Sequence, residues 1–389
     1  VKKKKILFFD HVSQLSGGER SLLLILKELS REYFEPILVT PHKGSFTDAV
    51  EKVGVKTELV SFPRSILEKK RKETGIIFLV ISFLSCIPGV LRLVSLIKRR
   101  GIRVVYTNSQ KAHLIGLFAG LLSRIPVIWH FRDILKEGPV KRVVRFFAVQ
   151  FVSQVIAISH SVSEQFYFLG RKRSKVNVVY NAIDIEEFVK RILKTQVDLR
   201  GEFSIPQDSI LVASIGQIAQ WKGQEYLIYL AKDLGEEYKN VFFFIIGESL
   251  FGEDEYKERL LSMVRKANLR ERVFFTGFRS DIEGVMSNID ILLHTPTEPE
   301  PFGRVLIEAM AAGTPVVTFD RGAAREIIEG GTGILVPPCD REMLKRTVSS
   351  LLEDAEVRNR LITRARAYVK ERFSSSSLIQ NIEKILRSV

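Results

Sequence analysis

Two carboxylates, Glu300 and Glu308, stand eight residues apart in the string His294–Pro315, HTPTEPEPFGRVLIEAMAAGTP. The string leaves an apolar strand signal at Asp290-Ile-Leu-Leu, passes through a proline-rich turn, and becomes helical from Val305 through Met310. Gly313 followed by Pro315 is a helix-ending pair. Glu300 therefore falls at the mouth of the turn. Glu308 falls about a turn inside the helix, among apolar residues, where a carboxylate is costly unless something binds it. Between them the amides of Phe302, Gly303 and Arg304 lie at a helix N-terminus, a place that favours an anion. Taken singly, either glutamate is as readily a solvated surface acid. Together, free amides at one end and a half-buried carboxylate at the other suit a ligand with phosphates and vicinal hydroxyls, as in a nucleotide sugar.

These groups need a scaffold, and the preceding chain supplies its pattern. Lys5–Asp10, Pro36–Thr40, Arg103–Thr107, Pro126–His130 and Gln154–Ile158 are apolar runs, with helical patterns around Phe46–Val53 and Ala112–Leu122 between some of them. Strands at this spacing predict a doubly wound parallel sheet, whose ligands bind beyond the carboxyl ends of the strands. His130, in the run WHFRD, falls at such an end, although a lone histidine is more often structural. Arg132 and Asp133 follow as weaker candidates for acceptor contact. Gly17 and Gly18 precede a helix starting near Glu19 and permit close approach to its N-terminus, or form a plain tight turn. Beyond Val176–Tyr180 and Asn181-Ala-Ile-Asp184, residues 184–205 are charged and weakly patterned and are read as a linker. A second sheet starts at Ser209–Ile215, runs into the turn Gly216–Gly223, and continues at Val241–Gly247, Val273–Gly277 and Thr314–Phe319. The domains expected are 1–183 and 206–373, with the terminal helix 374–389 returning to the first.

Composition narrows the partners. At 389 residues, two domains are expected. Two cysteines, Cys86 and Cys339, make neither a disulfide framework nor a cysteine-rich metal site. Lys2–Lys5 is followed only by Ile6-Leu-Phe-Phe before Asp10, too short for a signal-peptide apolar region, so a cytoplasmic location is expected. Residues 1–180 hold 31 Lys and Arg against 13 Asp and Glu, so the net charge of +14 resides in this half. The apolar segment Ile76–Leu91, interrupted by Pro88-Gly89, lies between Lys69–Lys72 and Lys98–Arg100. It reads either as a core helix or as one lying on an anionic membrane. Lys141–Val152 is similarly basic and aromatic. Nucleic-acid motifs are lacking, so no nucleic acid is expected.

The Glu300–Glu308 string with the following EAMAAGTPVV resembles the E-x7-E signature of the family-4 retaining glycosyltransferases. The resemblance spans nearly the whole chain and implies a GT-B fold: two Rossmann-like domains facing across a cleft, donor in the second and acceptor mainly against the first. It implies that Glu300 and His130 hold the donor sugar, that Glu308 accepts the ribose hydroxyls, and that the Gly17-Gly18 loop lies beside the phosphates. Lys222 matches the lysine of the family's G-R-x-x-x-x-K-G turn, a bond to phosphate worth roughly 1.5–3 kcal/mol. Gln217 stands where that turn has its arginine and brings no charge, leaving Arg304 as a substitute cation. Gly277, Phe278 and Arg279 resemble the segment along the nucleobase, and Gly322 with Glu326 a phosphate-side loop, Glu326 read as structural. The implied reaction moves a sugar from a nucleotide diphosphate, UDP before GDP, to a glycan or lipid-linked acceptor. No D-x-D occurs, so no metal or other cofactor is expected. The rivals are a non-catalytic nucleotide-sugar binder, which Gln217 favours, a GT-B epimerase or phosphorylase, and a basic nucleic-acid binder.

Overall fold

The computed structural model describes residues 3–63, 76–167, 175–235, 237–250 and 252–389, and the backbone alone over 76–84. The chain divides into two compact units, residues 1–181 with 375–389 and residues 182–374.

The first unit is a parallel sheet in the order β3-β2-β1-β4-β5-β6-β7. Its strands are β1 (Lys4–Phe9), β2 (Phe34–Thr40), β3 (Lys56–Leu59), β4 (Val104–Thr107), β5 (Val127–Phe131), β6 (Gln154–Ala157) and β7 (Val176–Val178). The order reverses between β1 and β4, so the crevice beyond their carboxyl ends is the expected ligand position. The central strands are continuous apolar runs because both faces are covered. Ile6, Leu7, Phe8 and Phe9 have no exposed surface. β3 has no such run; its sequence KTEL pairs with β2 at the sheet edge, which needs no buried face.

The second unit repeats the plan in the order β10-β9-β8-β11-β12-β13. Here the strands are β8 (Ile210–Ile215), β9 (Val241–Ile246), β10 (Val273–Gly277), β11 (Ile291–His294), β12 (Val316–Phe319) and β13 (Ile334–Val336). The reversal falls between β8 and β11. Gly216 leaves β8 and His294 ends β11, so both lie at this second crevice.

Two expectations need correction. Residues 184–205 are no linker: they carry the helices Ile185–Lys194 and Leu199–Glu202 and belong to the second unit. Asp184 caps the first, accepting from the Glu187 amide at 3.1 Å, and Arg191 reaches Glu283 at 3.2 Å. Arg200 is tied to Asp290 at 2.7 Å and to the Ser209 carbonyl. The helix Ile185–Lys194 does turn an apolar stripe inward, Ile185, Phe188 and Ile192, but the charged residues between them masked it. The Pro88–Gly89 pair does not interrupt its segment either, since the helix Ile76–Arg100 runs through it. Gly89 is needed for packing: a Cβ there would stand 2.2 Å from the Phe62 ring.

Leu93, Leu96 and Ile97 of that helix are buried, while Ile87 and Leu91 are exposed. The flanking Lys69–Lys72 lies outside the described residues. Among the described residues, no helix is long and apolar enough to cross a membrane. The last helix, Ser375–Ser388, packs within the first unit, where Lys4 Nζ donates to the Leu386 and Val389 carbonyls at 2.9 and 2.6 Å.

Candidate active site

In the second unit the turn after β8 is stitched to the loop after β11. Gly223 has φ +67, and a Cβ there would stand 2.0 Å from the Thr295 carbonyl oxygen, so only glycine lets the two backbones meet. Thr295 Oγ1 donates to the Gly223 carbonyl at 2.9 Å, and the Thr297 amide donates to the Trp221 carbonyl at 2.8 Å. This attachment delivers Lys222 to Glu300, with Nζ 2.5 Å from Oε2. His294 Nε2 lies 3.3 Å from the same oxygen. On its other side the Glu300 backbone is braced by a turn at Gly322, φ +64, where a Cβ would stand 2.2 Å from the Glu300 carbonyl oxygen. The Ala323 amide donates to that oxygen at 2.9 Å. Gly322 thus sets the Glu300 backbone, while Glu326 lies in the short helix Ala324–Ile327 that follows.

Glu300 is buried, which alone would raise its pKa. Lys222, then His294, overcome that and bring the carboxyl down to about 2. Burial lowers the His294 pKa, so a neutral imidazole supports the charged pair. Lys222 Nζ also stands 4.1 Å from the centroid of the Trp221 ring.

The helix Arg304–Ala312 opens at Gly303, whose φ of +83 turns the chain into it. Phe302 is buried edge-on against Phe373 at 5.9 Å and anchors this entry. Arg304 pairs along the helix with Glu308, through Nε at 3.2 Å and Nη2 at 2.8 Å to Oε1. Its Nη1 is buried without a hydrogen-bond partner. A buried donor with no acceptor is costly, and a bound acceptor would relieve it. Gln217 donates Nε2–H to the Leu250 carbonyl at 3.2 Å. Gly277, φ +70, accepts the Gly247 amide, and beyond it the Phe278 ring is 74% exposed. Arg279 is held by Asp281 and Glu202, both at 2.7 Å.

The first unit has its own polar cluster at the β1/β4 crevice. Asp10, just past β1, accepts from Asn108 Nδ2 at 2.7 Å and from Ser109 Oγ at 2.7 Å. Arg132 donates to Asn108 Oδ1 and Asn181 Oδ1, both at 2.7 Å, so it braces the cluster. Asp133 accepts from Gln110 at 2.9 Å. His130 is fully buried and bonded through Nδ1 to Tyr106. Gly17 and Gly18 open the helix Gly17–Glu28 behind Ser16. Nothing lies within 4 Å of where a Gly17 Cβ would be, and a Gly18 Cβ would touch Arg132 at 3.5 Å.

Sequence reasoning assigned no role to His294, Asp10, Asn108 or Tyr106. The signal was available for the first three: each ends or immediately follows a strand beside a sheet reversal, the argument applied to His130. Tyr106 lies within its strand and gave none.

Two doubly wound parallel-sheet units, each with buried polar groups at its reversal point, define a GT-B transferase architecture. A family model described as Glycosyltransferase Family 4 matches residues 15–187, and one described as Glycosyl transferases group 1 matches residues 196–368. The chain belongs to the family-4 glycosyltransferases. It resembles HepE of Anabaena, solved in complex with UDP and glucose, at 29% identity and TM-score 0.84, over 99% of this chain and 100% of that one. N-acetyl-alpha-D-glucosaminyl L-malate synthase of Bacillus anthracis is 27% identical over 283 residues, 72% of this chain and 71% of that protein. The capsular polysaccharide biosynthesis glycosyltransferase CapM of Staphylococcus aureus is 25% identical over 322 residues, 78% of this chain and 82% of that protein.

Proposed function

We propose that this protein transfers a hexose from a UDP-sugar, with a GDP-sugar next in order, to a glycan or lipid-linked acceptor, with retention at the anomeric carbon and without a metal. The observation that carries this reading is the Glu300–Glu308 turn. At one end a buried carboxylate is held ionised by Lys222; at the other, Arg304 keeps a buried N–H unpartnered beside Glu308. Departure of the nucleotide diphosphate builds negative charge on its β-phosphate, and fixed positive groups lower that barrier. Lys222, the Phe302–Arg304 entry to the helix and Arg304 itself supply them, with Gln217 as a neutral donor. Lys222 has three N–H donors, so one pointing at Glu300 leaves others for phosphate. Glu300 and His130 hold the sugar, Glu308 takes the ribose hydroxyls, and Gly277, Phe278 and Arg279 flank the base. HepE, solved with UDP and glucose, and CapM, a capsular polysaccharide enzyme, support the donor and the pathway class.

The test is thermal stabilisation by UDP, GDP, ADP and dTDP, followed by turnover of the matching glucose donor in EDTA. UDP is expected to shift the melt, since ligand at ~100 times its Kd adds about 2.7 kcal/mol. Turnover is expected to persist in EDTA. No shift with any diphosphate would overturn the donor reading, and activity abolished by EDTA would overturn metal independence.

The proposal includes association with an anionic membrane on the cytoplasmic side. Its support is a run of exposed apolar side chains on three helices of the basic unit. These are Leu91 on Ile76–Arg100, Leu122 on Gln110–Ser123, and Val143 and Phe146 on Pro139–Gln150, with Phe151 just beyond. Phe118 meets Phe147 at 5.5 Å, joining the second helix to the third, and Arg92, Arg124 and Arg142 are exposed nearby. Apolar insertion with cationic flanks suits anionic headgroups. Flotation with vesicles containing phosphatidylglycerol is expected and should weaken on Phe146→Asp; equal flotation with neutral phosphatidylcholine would count against the electrostatic part.

A further inference from the structure

His130 is buried, yet only one of its ring nitrogens is occupied. Nδ1 lies 2.5 Å from the Tyr106 hydroxyl and 3.2 Å from Arg132 Nη2, whereas Nε2 has no hydrogen-bond partner. A guanidinium can only donate, so the nitrogen facing it must accept. A neutral imidazole that accepts at Nδ1 carries its proton on Nε2. Arg132 is in no position to swing away, because Nε and Nη1 are bonded to Asn108 and Asn181. Asn181 Oδ1 is held in turn by Ser21 Oγ at 2.9 Å.

We infer that Tyr106 and Arg132 are positioning residues that lock His130 as the neutral Nε2–H tautomer, so that it offers one hydrogen-bond donor, never a base, to a sugar hydroxyl oxygen. That the oxygen belongs to a sugar rests on the transferase reading; the tautomer does not. The groups around the ring agree. Burial pushes the Tyr106 pKa up, so its hydroxyl keeps the proton it donates. Burial, then Arg132, then His113 hold the His130 pKa well below the ordinary histidine value, so the ring stays neutral. His113 is itself buried with a lowered pKa, its Nδ1 2.7 Å from Thr107 Oγ1. A donor fixed before ligand arrives costs no reorganisation when charge shifts on the sugar.

The test is a long-range 1H–15N spectrum of the full chain labelled at histidine, with the His130 signal identified by its loss in His130→Gln. A protonated Nε2 and a bare Nδ1, unchanged from pH 5 to pH 9, is the expected result. A proton on Nδ1, or titration within that range, would overturn the inference. Tyr106→Phe leaves Arg132 facing Nδ1 and should keep the Nε2–H form. Tyr106→Phe with Arg132→Gln removes both fixed donors; it should populate the Nδ1–H form and lower UDP-glucose turnover about tenfold, the loss of one aligned hydrogen bond, with UDP affinity unchanged. A shifted melting temperature with an unchanged His130 signal in the double variant would make these residues merely structural. If wild type turns over no nucleotide sugar, the transferase reading fails while the spectrum still decides the tautomer.

Discussion

Replacing Lys222 with methionine is expected to lower UDP-glucose turnover by ~10²–10³-fold, the scale of losing one fixed donor to the developing charge. Folding stability should fall by about 3 kcal/mol, because the change leaves a buried carboxylate without its cation. The Lys222 side chain is 18% exposed and that of Glu300 only 8%, so water can replace little of the lost charge. Methionine keeps most of the length of the apolar stem, so the loss reports the ammonium more than the shape. The double variant Lys222→Met with Glu300→Gln separates the two roles. It removes both charges and should recover much of the stability by thermal melt, yet it should stay as inactive as the single variant. Turnover by Lys222→Met within a few-fold of wild type would remove Lys222 from the phosphate-binding role. A single variant as stable as wild type would mean that Glu300 finds another partner.

The parts of this site that were legible in sequence are those whose signal is local. The turn and helix around Glu300 and Glu308 could be read because a helix start, an out-of-place acid and a Gly–Pro stop occur within one string. Lys222 was found through the resemblance, but its bond to Glu300 was not, since the two are 78 residues apart and meet only because β8 and β11 are neighbours. Gly322 shows the same limit: read as a phosphate-side loop, it serves the Glu300 backbone, a contact that exists only after β12 is placed. Arg132 was read as a candidate for acceptor contact, whereas its bonds run to Asn108, Asn181 and His130, residues from different strand ends. The alternation of buried strands and helices gave the sheet plan directly. The edge strand β3 and the helices of 184–205 escaped because neither relies on a continuous apolar run.

Glu300→Gln should be comparably damaging to turnover, on the order of 10²-fold, and its stability effect should depend on pH. Glutamine keeps the shape and can still accept from His294, but it offers Lys222 no charge. In wild type, burial would raise the Glu300 pKa, and Lys222 with His294 brings it instead to about 2, against an ordinary value of 4.5. Between those values the folded state binds fewer protons at this site than the unfolded chain, so stability rises with pH across the window. The contribution, about 3 kcal/mol from the shift, is therefore complete above pH 4.5 and lost as pH falls through about 2. The variant lacks this dependence. Urea unfolding of both proteins from pH 6 downwards should give a wide stability gap near neutrality that narrows through pH 4 and 3. Parallel curves would mean that Glu300 titrates normally and is not held by Lys222, and the cation would then be free of the carboxylate before any donor binds. A narrowing gap would show that the carboxylate keeps its charge at every pH where a nucleotide sugar is stable. Glu300 could then not act as a general acid, and a carboxyl with a pKa of about 2 is too weak a base to keep the proton released by the acceptor, which would have to go to another group.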